Sequence, residues 1–433
     1  MDHRPVSLPA YYRLVRTNRN FRLLWTAQIV SEIGDWLYSI AIYSLLFELT
    51  GSARAVALAL VLQVLPQFFI GPTAGVVNDR ISRKRVMILA DIGRSVVVLG
   101  MIFAQTRELI WLLYVLLFIE TMMWAFFEPG RSAIIPNITA DEGETLTANT
   151  LSSTTWSFNL AFGATVGGFV AVWFGRDTVF VLNAISFLVS AALLRRMRID
   201  EPHTRNAPPF RARDLADFSP ILEGVRYVRR DPRLMATLLV KAGLGLMGAH
   251  WVILPVFGER VFPVLIAGLG PHRAGMLGMS LLMGARGVGA LIGPIVGGYW
   301  AGQRQARLRL GILFGFLSVA AGYIALGVAP TLGWAVATVV LAHAGGSLIW
   351  VFSTTMLQSQ TEDRFRGRVF SADFGFLVIT MSAVTYLAGI AIDMGLSVQA
   401  LSVAVGLSAF LPAVLWLLAL RLWRERDSGT PIS

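Results

Sequence analysis

The chain contains no cysteine, and only 15% of its 433 residues are charged. Without cysteine there is no disulfide framework, no thiolate metal site and no redox-active thiol. An average soluble domain has about 25% charged residues, so a water-soluble enzyme of this length is disfavoured. Hydrophobic residues make up 55% of the sequence instead, and the mean hydropathy is +0.64. These values predict an integral membrane protein, and we expect no cofactor and no metal.

The excess of basic residues is a topology signal. The formal net charge is +11, but the basic residues lie in short stretches between long apolar runs and form no patch suited to nucleic acid. Of the 37 Lys and Arg residues, 29 fall on one side of the predicted spans and 5 on the other. The positive-inside rule therefore predicts a multi-pass protein of the inner (plasma) membrane with both termini in the cytoplasm.

Twelve apolar runs are long enough to cross a bilayer as helices, since about 20 residues span the hydrocarbon core. They predict an all-α membrane protein with twelve transmembrane helices. The runs are 23–47, 55–77, 86–104, 109–127, 148–174, 178–194, 234–257, 274–300, 310–328, 332–357, 370–394 and 398–420.

The longest loop divides these spans into two groups of six. We therefore predict an N-terminal bundle over 1–194, a cytoplasmic linker over 195–233 and a C-terminal bundle over 234–433. The linker carries four apolar residues at helical spacing, namely Leu215, Phe218, Leu222 and Val225. They suit an amphipathic helix on the membrane surface, and a flexible linker is an equal alternative.

A weak internal repeat relates the two halves. GPTAG at 71–75 recurs as GPIVG at 293–297, and the same offset of 222 aligns Arg85 with Arg307. Thr139 and Asp141 meet Thr361 and Asp363 at that offset. Several matches at one offset indicate two related six-helix bundles of the kind that move about a central site.

Two carboxylates lie near the middle of the first span. Glu32 and Asp35 are three residues apart and share a helical face with Gln28, Ser39 and Tyr43. An ionised carboxylate at the bilayer centre costs about 2.5–3.5 kcal/mol, so this face is expected to meet a cavity and to have a function. Proton carriage is the functional interpretation, and interhelical hydrogen bonding is the structural alternative.

Two more charged residues are candidates for substrate contact. Glu120 lies in the fourth span with Met123, Trp124 and Phe127 on its side, an arrangement suited to lipophilic molecules, although helix packing explains it equally well. Arg286 lies among glycines in the eighth span. It is interpreted either as the counter-ion of a first-span carboxylate or as a contact for an anionic substrate.

Several other ionisable residues within spans favour structural roles. Lys241 is close enough to the cytoplasmic end of its span to extend to the membrane surface. His250 and His343 are isolated in sequence and are interpreted as packing residues. Asp91 and Arg94 are three apart near the cytoplasmic edge of the third span and are expected to pair with each other.

The loop after the second span, GVVNDRISRKR at 75–85, resembles the GxxxDRxxxRR signature of the major facilitator superfamily. The segments 16–36, 127–139 and 366–371 are similar to the branch that includes macrolide and multidrug exporters and the enterobactin exporter. The resemblance implies the major facilitator fold, a cavity between the halves, alternating access and proton-coupled export. The family motif also places an Asp at the position of Asp35, which favours Asp35 as the proton carrier, and Glu32 is interpreted as sharing the proton or pairing with a cationic substrate. No Arg occurs in the fourth span, where many proton antiporters have one.

The signature loop is expected to act as a gate. In this interpretation Gly75 permits a close helix approach, Asp79 meets a helix end or an Arg, and the basic residues hold the loop at the anionic leaflet. The gate residues are Gly75, Asp79, Arg80, Arg83, Lys84 and Arg85. The residues expected to bind substrate are Gln28, Trp36, Glu120, Trp124 and Arg286.

The sequence therefore predicts a monomeric secondary transporter that exports amphipathic drugs or natural products in exchange for protons. It contains no metalloprotease, nucleophile-elbow or P-loop motif, so no enzyme activity is expected. A lysophospholipid flippase and a siderophore exporter of the same superfamily are the alternatives.

Overall fold

The computed structural model describes residues 7–201, 204, 218–302, 304–421 and 423. Within these ranges the regular structure is helical, which confirms the predicted all-α architecture. Eleven helical segments are long and apolar enough to cross a membrane. They cover every predicted span except the third, which is also a helix but carries too many charged residues to count as apolar.

The chain divides into two compact units. The N-terminal unit comprises Met1–Thr50 and Leu62–Asp217, and the C-terminal unit comprises Gly51–Val61 and Phe218–Ser433.

The N-terminal unit contains a short surface helix and six long helices. They are α1 (Leu8–Thr17), α2 (Arg19–Thr50), α3 (Ala53–Arg80), α4 (Arg83–Met101), α5 (Ile110–Ile138), α6 (Glu142–Phe174) and α7 (Arg176–Arg195), with the first residues of α3 belonging to the other unit. α2 packs against α6 and α7, and α4 packs against α5 and α7.

Local sequence explains where these helices begin and how closely they pack. Asp141 caps α6 by accepting a 2.7 Å hydrogen bond from the backbone N–H of Glu144. The Glu144 carboxylate in turn accepts a 2.6 Å hydrogen bond from the backbone N–H of Ala140, the residue before the cap. Gly175, at φ 88°, makes the turn between α6 and α7. A Cβ at Gly167 would lie 2.5 Å from Cα of Leu37, so α6 and α2 approach this closely only because Gly167 has no side chain.

The C-terminal unit begins with α8 (Ser219–Val228) and α9 (Pro232–Gly245). It continues with α10 (His250–Val256), α11 (Pro271–Ala301), α12 (Gln305–Gly327), α13 (Leu332–Gln360), α14 (Asp363–Asp393), α15 (Val398–Ser408) and α16 (Phe410–Ala419). α12 packs against α13, α11 against α13, and α14 against α8 and α9.

Two features of this unit differ from the predictions made for the seventh span and the linker. The predicted seventh span is interrupted, because a 3-10 turn at Leu246–Ala249 and a π turn at Phe257–Val261 flank α10. α8 begins within the predicted linker and packs against α14 through Ile221, Val225 and Val228, while Leu222 is exposed. Leu215 lies outside the described residues.

Candidate functional site

Arg94, on α4, is the centre of a buried charge cluster in the N-terminal unit. Its Nε donates to Glu120 Oε1 on α5 at 2.7 Å, and its Nη2 donates to Asp35 Oδ2 on α2 at 2.7 Å. Asp91, one helical turn before Arg94, lies 3.7 Å from Nη1. The guanidinium is also 4.0 Å from the centre of the Phe187 ring. One cation therefore faces three carboxyl groups, and we call these four ionisable residues the Arg94 cluster.

Asp35 is the member of the Arg94 cluster with the most exposed surface. Its side chain is 21% exposed, whereas those of Arg94, Glu120 and Asp91 are 2%, 6% and 0% exposed. The cluster is therefore most open to its surroundings at the Asp35 side chain.

These contacts extend one expectation. Asp91 and Arg94 lie 3.7 Å apart, as expected of a pair, but the shorter contacts of Arg94, at 2.7 Å, are with Asp35 and Glu120. Arg94 is thus a cation paired with Asp35. Spacing along a single helix could not reveal this, since the three interacting residues come from three helices.

Glu120 is part of the cluster and has almost no open surface. It is 4% exposed, and its Oε2 accepts a 3.1 Å hydrogen bond from the Tyr38 hydroxyl. Its neighbours Met123 and Phe127 pack in the hydrophobic core of the unit. The lipophilic surface expected beside Glu120 is therefore largely interior packing in this structure.

Glu32 belongs to a separate polar network. Its Oε1 accepts from Gln28 Nε2 at 2.9 Å, and its Oε2 accepts from Asn159 Nδ2 at 2.8 Å. Gln28 Oε1 accepts in turn from Arg131, which makes two hydrogen bonds to Glu128 at 2.5 and 2.8 Å. Glu32 is therefore linked through Gln28 to an ion pair on α5, and the bond from Asn159 on α6 is interhelical.

The two tryptophans expected to bind substrate are both half-buried. Trp36 packs edge-to-face against Trp156 of α6, with 5.8 Å between the ring centres. Trp124 lies one helical turn after Glu120 on α5. Their roles in substrate binding remain predictions.

Arg286, in the C-terminal unit, is 7% exposed and lies 3.7 Å from the centre of the Trp251 ring. Two histidines lie in the same unit, with 4.9 Å between the ring centres of His250 and His343. His343 Nε2 is 2.9 Å from the hydroxyl of Tyr323. The two histidines, which are isolated in sequence, therefore pack against each other inside the unit. In the described ranges, no group of three or more metal-ligating side chains comes together.

The signature loop is fixed to its own unit. Arg83 donates to the carbonyl of Ala133 at 2.8 Å and lies 3.7 Å from Asp79. Lys84 donates to the carbonyl of Met197 at 2.7 Å. These two cations thus bind protein carbonyls, although they were expected to meet the lipid leaflet. A Cβ at Gly75 would meet no described atom of its own unit within 4 Å, so no close approach is found there.

Lys241 and Asp373 form a buried ion pair that the sequence analysis missed. Their side chains are 5% and 2% exposed, so Lys241 does not extend to the membrane surface as expected. They are 132 residues apart in the chain. An ionisable residue within a span is the one signal that could have singled out Lys241.

The two units consist of long apolar helices, with buried charges inside spans and a basic signature loop after the second span. These features define a multi-pass membrane protein of the transporter class. The sequence model of the Major Facilitator Superfamily matches residues 24–372. The chain belongs to this superfamily.

Several relatives are named as transporters or efflux proteins. The chain is 26% identical to macrolide efflux protein A of Streptococcus pyogenes, over 83% of this chain and 86% of that protein. It is 30% identical to the uncharacterised transporter YfiS of Bacillus subtilis (strain 168), over 52% of this chain. The match spans only about half of YfiS, namely 53% of its length. A second B. subtilis transporter, YkuC, is matched over 64% of its length at 26% identity.

Solved structures show the same fold. A mutant of the nucleoside transporter NupG superimposes with a TM-score of 0.70 at 11% identity, over 92% of this chain and 99% of that one. A POT family transporter in complex with a thioalcohol-conjugated peptide superimposes with a TM-score of 0.71 at 12% identity, over 93% and 96% of the two chains. These similarities confirm the predicted major facilitator fold.

Proposed function

We propose that the protein is a proton-coupled exporter of amphipathic drugs or natural products that works by alternating access. The observation that carries this proposal is the Arg94 cluster, with Asp35 as its most exposed member. The relationship to macrolide efflux protein A supports the direction of transport and the class of substrate.

The charge of the cluster supports a proton-binding role. Three ionised carboxyl groups and one guanidinium would leave a net charge of two negative units inside the N-terminal unit. Burying uncompensated charge costs several kcal/mol per ion, and protons are the simplest ions that remove it. Asp35 is the member that a proton can reach, because its side chain is 21% exposed.

The geometry around Asp35 also supports coupling. Asp35 Oδ2 receives a hydrogen bond from Arg94, while Oδ1 is buried without a hydrogen-bond partner among the described residues. Protonation of Asp35 would weaken its attraction to Arg94 and leave the cation to Glu120 and Asp91. A change in this one carboxyl group would therefore alter how α2, α4 and α5 hold together.

A proton that moves down the membrane potential releases about 2.3 kcal/mol per 100 mV, so even one proton per cycle would supply energy for export. Export by antiport requires that protons enter the cytoplasm as substrate leaves it. The distribution of Lys and Arg supports placing both termini in the cytoplasm of the cell that makes the protein.

The test is substrate-triggered proton flux in everted membrane vesicles that respiration has made acidic inside. Macrolides, dyes, tetracyclines and a siderophore are added one at a time to vesicles with wild type, Asp35→Asn or Glu142→Gln. Glu142 is an exposed carboxylate in the first turn of α6 and serves as the matched control.

We expect proton release with at least one substrate for wild type and Glu142→Gln, and none for Asp35→Asn. Release that persists in Asp35→Asn would overturn Asp35 as the carrier. Silence of wild type across the whole panel would overturn proton-coupled export of these compounds and favour lipid translocation.

A further inference from the structure

The short helix α1 lies at one end of the N-terminal unit and has an uncovered apolar side. Its Leu14 is 3% exposed and packs in the hydrophobic core of the unit with residues of α2 and α4. Leu8 and Tyr12, by contrast, are 81% and 66% exposed. They are one helical turn apart and therefore share a face of α1, which we call its apolar edge.

Basic residues lie beside the apolar edge. Arg13 and Arg16 are three residues apart on α1, and both are exposed. At about 100° per residue, Arg16 lies next to Tyr12 around the helix and Arg13 lies farther from the apolar edge. The guanidinium carbon of Arg16 is 5.9 Å from the centre of the Tyr12 ring. We call Arg13 and Arg16 the basic edge of α1.

The junction between α1 and α2 holds the two edges in place. The side chain of Asn18 donates to the last carbonyl of α5 at 2.6 Å and to Glu144 of α6 at 3.0 Å. Arg22 donates to the carbonyls of Val15 and Arg16, at 3.1 and 3.0 Å, and so satisfies the last turn of α1. α1 is therefore docked at the end of the unit where α5 ends and α6 begins.

The basic edge has no compensating carboxylate. Residues 7–31 contain neither Asp nor Glu, and in the described ranges neither Arg13 nor Arg16 forms an ion pair. Asn20 is hydrogen-bonded to the backbone of Arg198, which brings a further exposed arginine to this end of the unit. The positive-inside rule predicts that this end faces the cytoplasm, where the bilayer carries anionic lipids.

We infer that α1 lies in the headgroup region of the cytoplasmic leaflet, where its basic edge binds anionic phospholipid and its apolar edge enters the acyl chains. A helix with apolar residues on one side and arginines beside them has the composition of an interfacial membrane helix. Long arginine side chains can reach the phosphates while the apolar edge stays below them. The partner is thus a phospholipid with a net negative charge.

This interaction surface goes beyond the proposed function and does not depend on it. The surface is formed by α1, and it remains whether or not Asp35 carries a proton. Because Leu14 packs in the same core as α2 and α4, lipid binding to α1 would anchor the helices that hold the Arg94 cluster.

The test uses the full-length protein in nanodiscs of phosphatidylcholine alone or of equal parts of phosphatidylcholine and phosphatidylglycerol. Since the chain has no cysteine, Leu8→Cys or Thr17→Cys can each carry a single NBD fluorophore, whose emission shifts to the blue in apolar surroundings. Thr17 is exposed, lies on α1 away from the apolar edge, and serves as the matched position.

We expect phosphatidylglycerol to shift the emission of the probe at position 8 to the blue and to expose it to quenching by spin-labelled acyl chains. The probe at position 17 should change much less. In about 1 M NaCl, where the Debye length falls to about 3 Å, the shift should be lost. Inorganic phosphate added to phosphatidylcholine discs should not reproduce it.

Substitutions of the basic edge test its role. Each arginine near an anionic surface contributes about a fivefold preference, so Arg13→Gln/Arg16→Gln should lose most of the shift. Arg13→Lys/Arg16→Lys keeps the charge and should retain the shift, as should Arg107→Gln, which changes an exposed arginine elsewhere. Unchanged emission from position 17 in the Gln variant shows that α1 is still docked.

Three results would overturn the inference. The first is the same emission from position 8 in the two lipid compositions. The second is a full shift in Arg13→Gln/Arg16→Gln. The third is a shift that follows the number of protein copies per disc and not the lipid charge, since a second copy of the chain would then cover the apolar edge.

Discussion

Replacing Arg94 by Gln should strongly destabilise the N-terminal unit at neutral pH. The substitution removes two 2.7 Å charge-assisted hydrogen bonds, to Asp35 and Glu120, and the contact with the Phe187 ring. It also leaves these two carboxyl groups and Asp91 without their cation. Removing one partner of a buried ion pair costs about 3–5 kcal/mol, and we expect a loss in this range for the free energy of unfolding.

The assay is unfolding of purified variants in detergent, compared at pH 8 and pH 5. Protons neutralise the uncompensated carboxylates as the pH falls, so the stability lost in Arg94→Gln should be partly recovered at pH 5. Arg107→Gln, at an exposed position, is the matched control and should change stability by less than about 0.5 kcal/mol. A loss below about 1 kcal/mol at pH 8, or a loss that is the same at both pH values, would refute this account of the cluster.

Two further predictions concern helix packing and helix capping. Gly167→Ala should lower the free energy of unfolding by about 1–3 kcal/mol in denaturation experiments, because the new Cβ would lie 2.5 Å from Cα of Leu37. Gly71→Ala is the control. Its Cβ would meet no described atom within 4 Å, so the free energy of unfolding should stay the same or rise slightly. Burial raises the pKa of Asp231, but hydrogen bonds from Arg233 and from backbone N–H groups outweigh it and hold the pKa below its usual 3.8. Asp231→Ala should therefore lower the free energy of unfolding by about 1 kcal/mol at pH 7. This difference in stability from wild type should vanish as the pH falls below the lowered pKa of Asp231. A difference that persists in acid would contradict capping by the carboxylate.

The spans and the first-span carboxylates could be predicted because both depend on local sequence. Each crossing needs a run of about 20 apolar residues, and such a run can be recognised from the local sequence alone. Glu32 and Asp35 stand out because charge in an apolar run is rare. Asp91 and Arg94 are also charged residues in an apolar run. Their spacing of three residues suggested a pair on one helix, however, and gave no indication of partners on other helices.

The other partnerships depend on tertiary packing. Asp373 lies ten residues after the start of α14, close to the beginning of the predicted span 370–394 and just after a stretch rich in Arg. Nothing in the sequence places it beside Lys241 on α9. His250 and His343 are likewise distant in the chain, and only the packing of the C-terminal unit brings their rings together.

The composition of α4 has a consequence for how the protein is made. Arg94 and Asp91 would each cost about 2.5–3.5 kcal/mol at the centre of a lone helix in the bilayer, so α4 has little tendency to insert by itself. Asp35 on α2, which pairs with Arg94, is already synthesised at that point, whereas Glu120 follows 26 residues later, on α5. During translation, α4 therefore depends on α2 for its first compensating charge, and the cluster is completed only when α5 arrives.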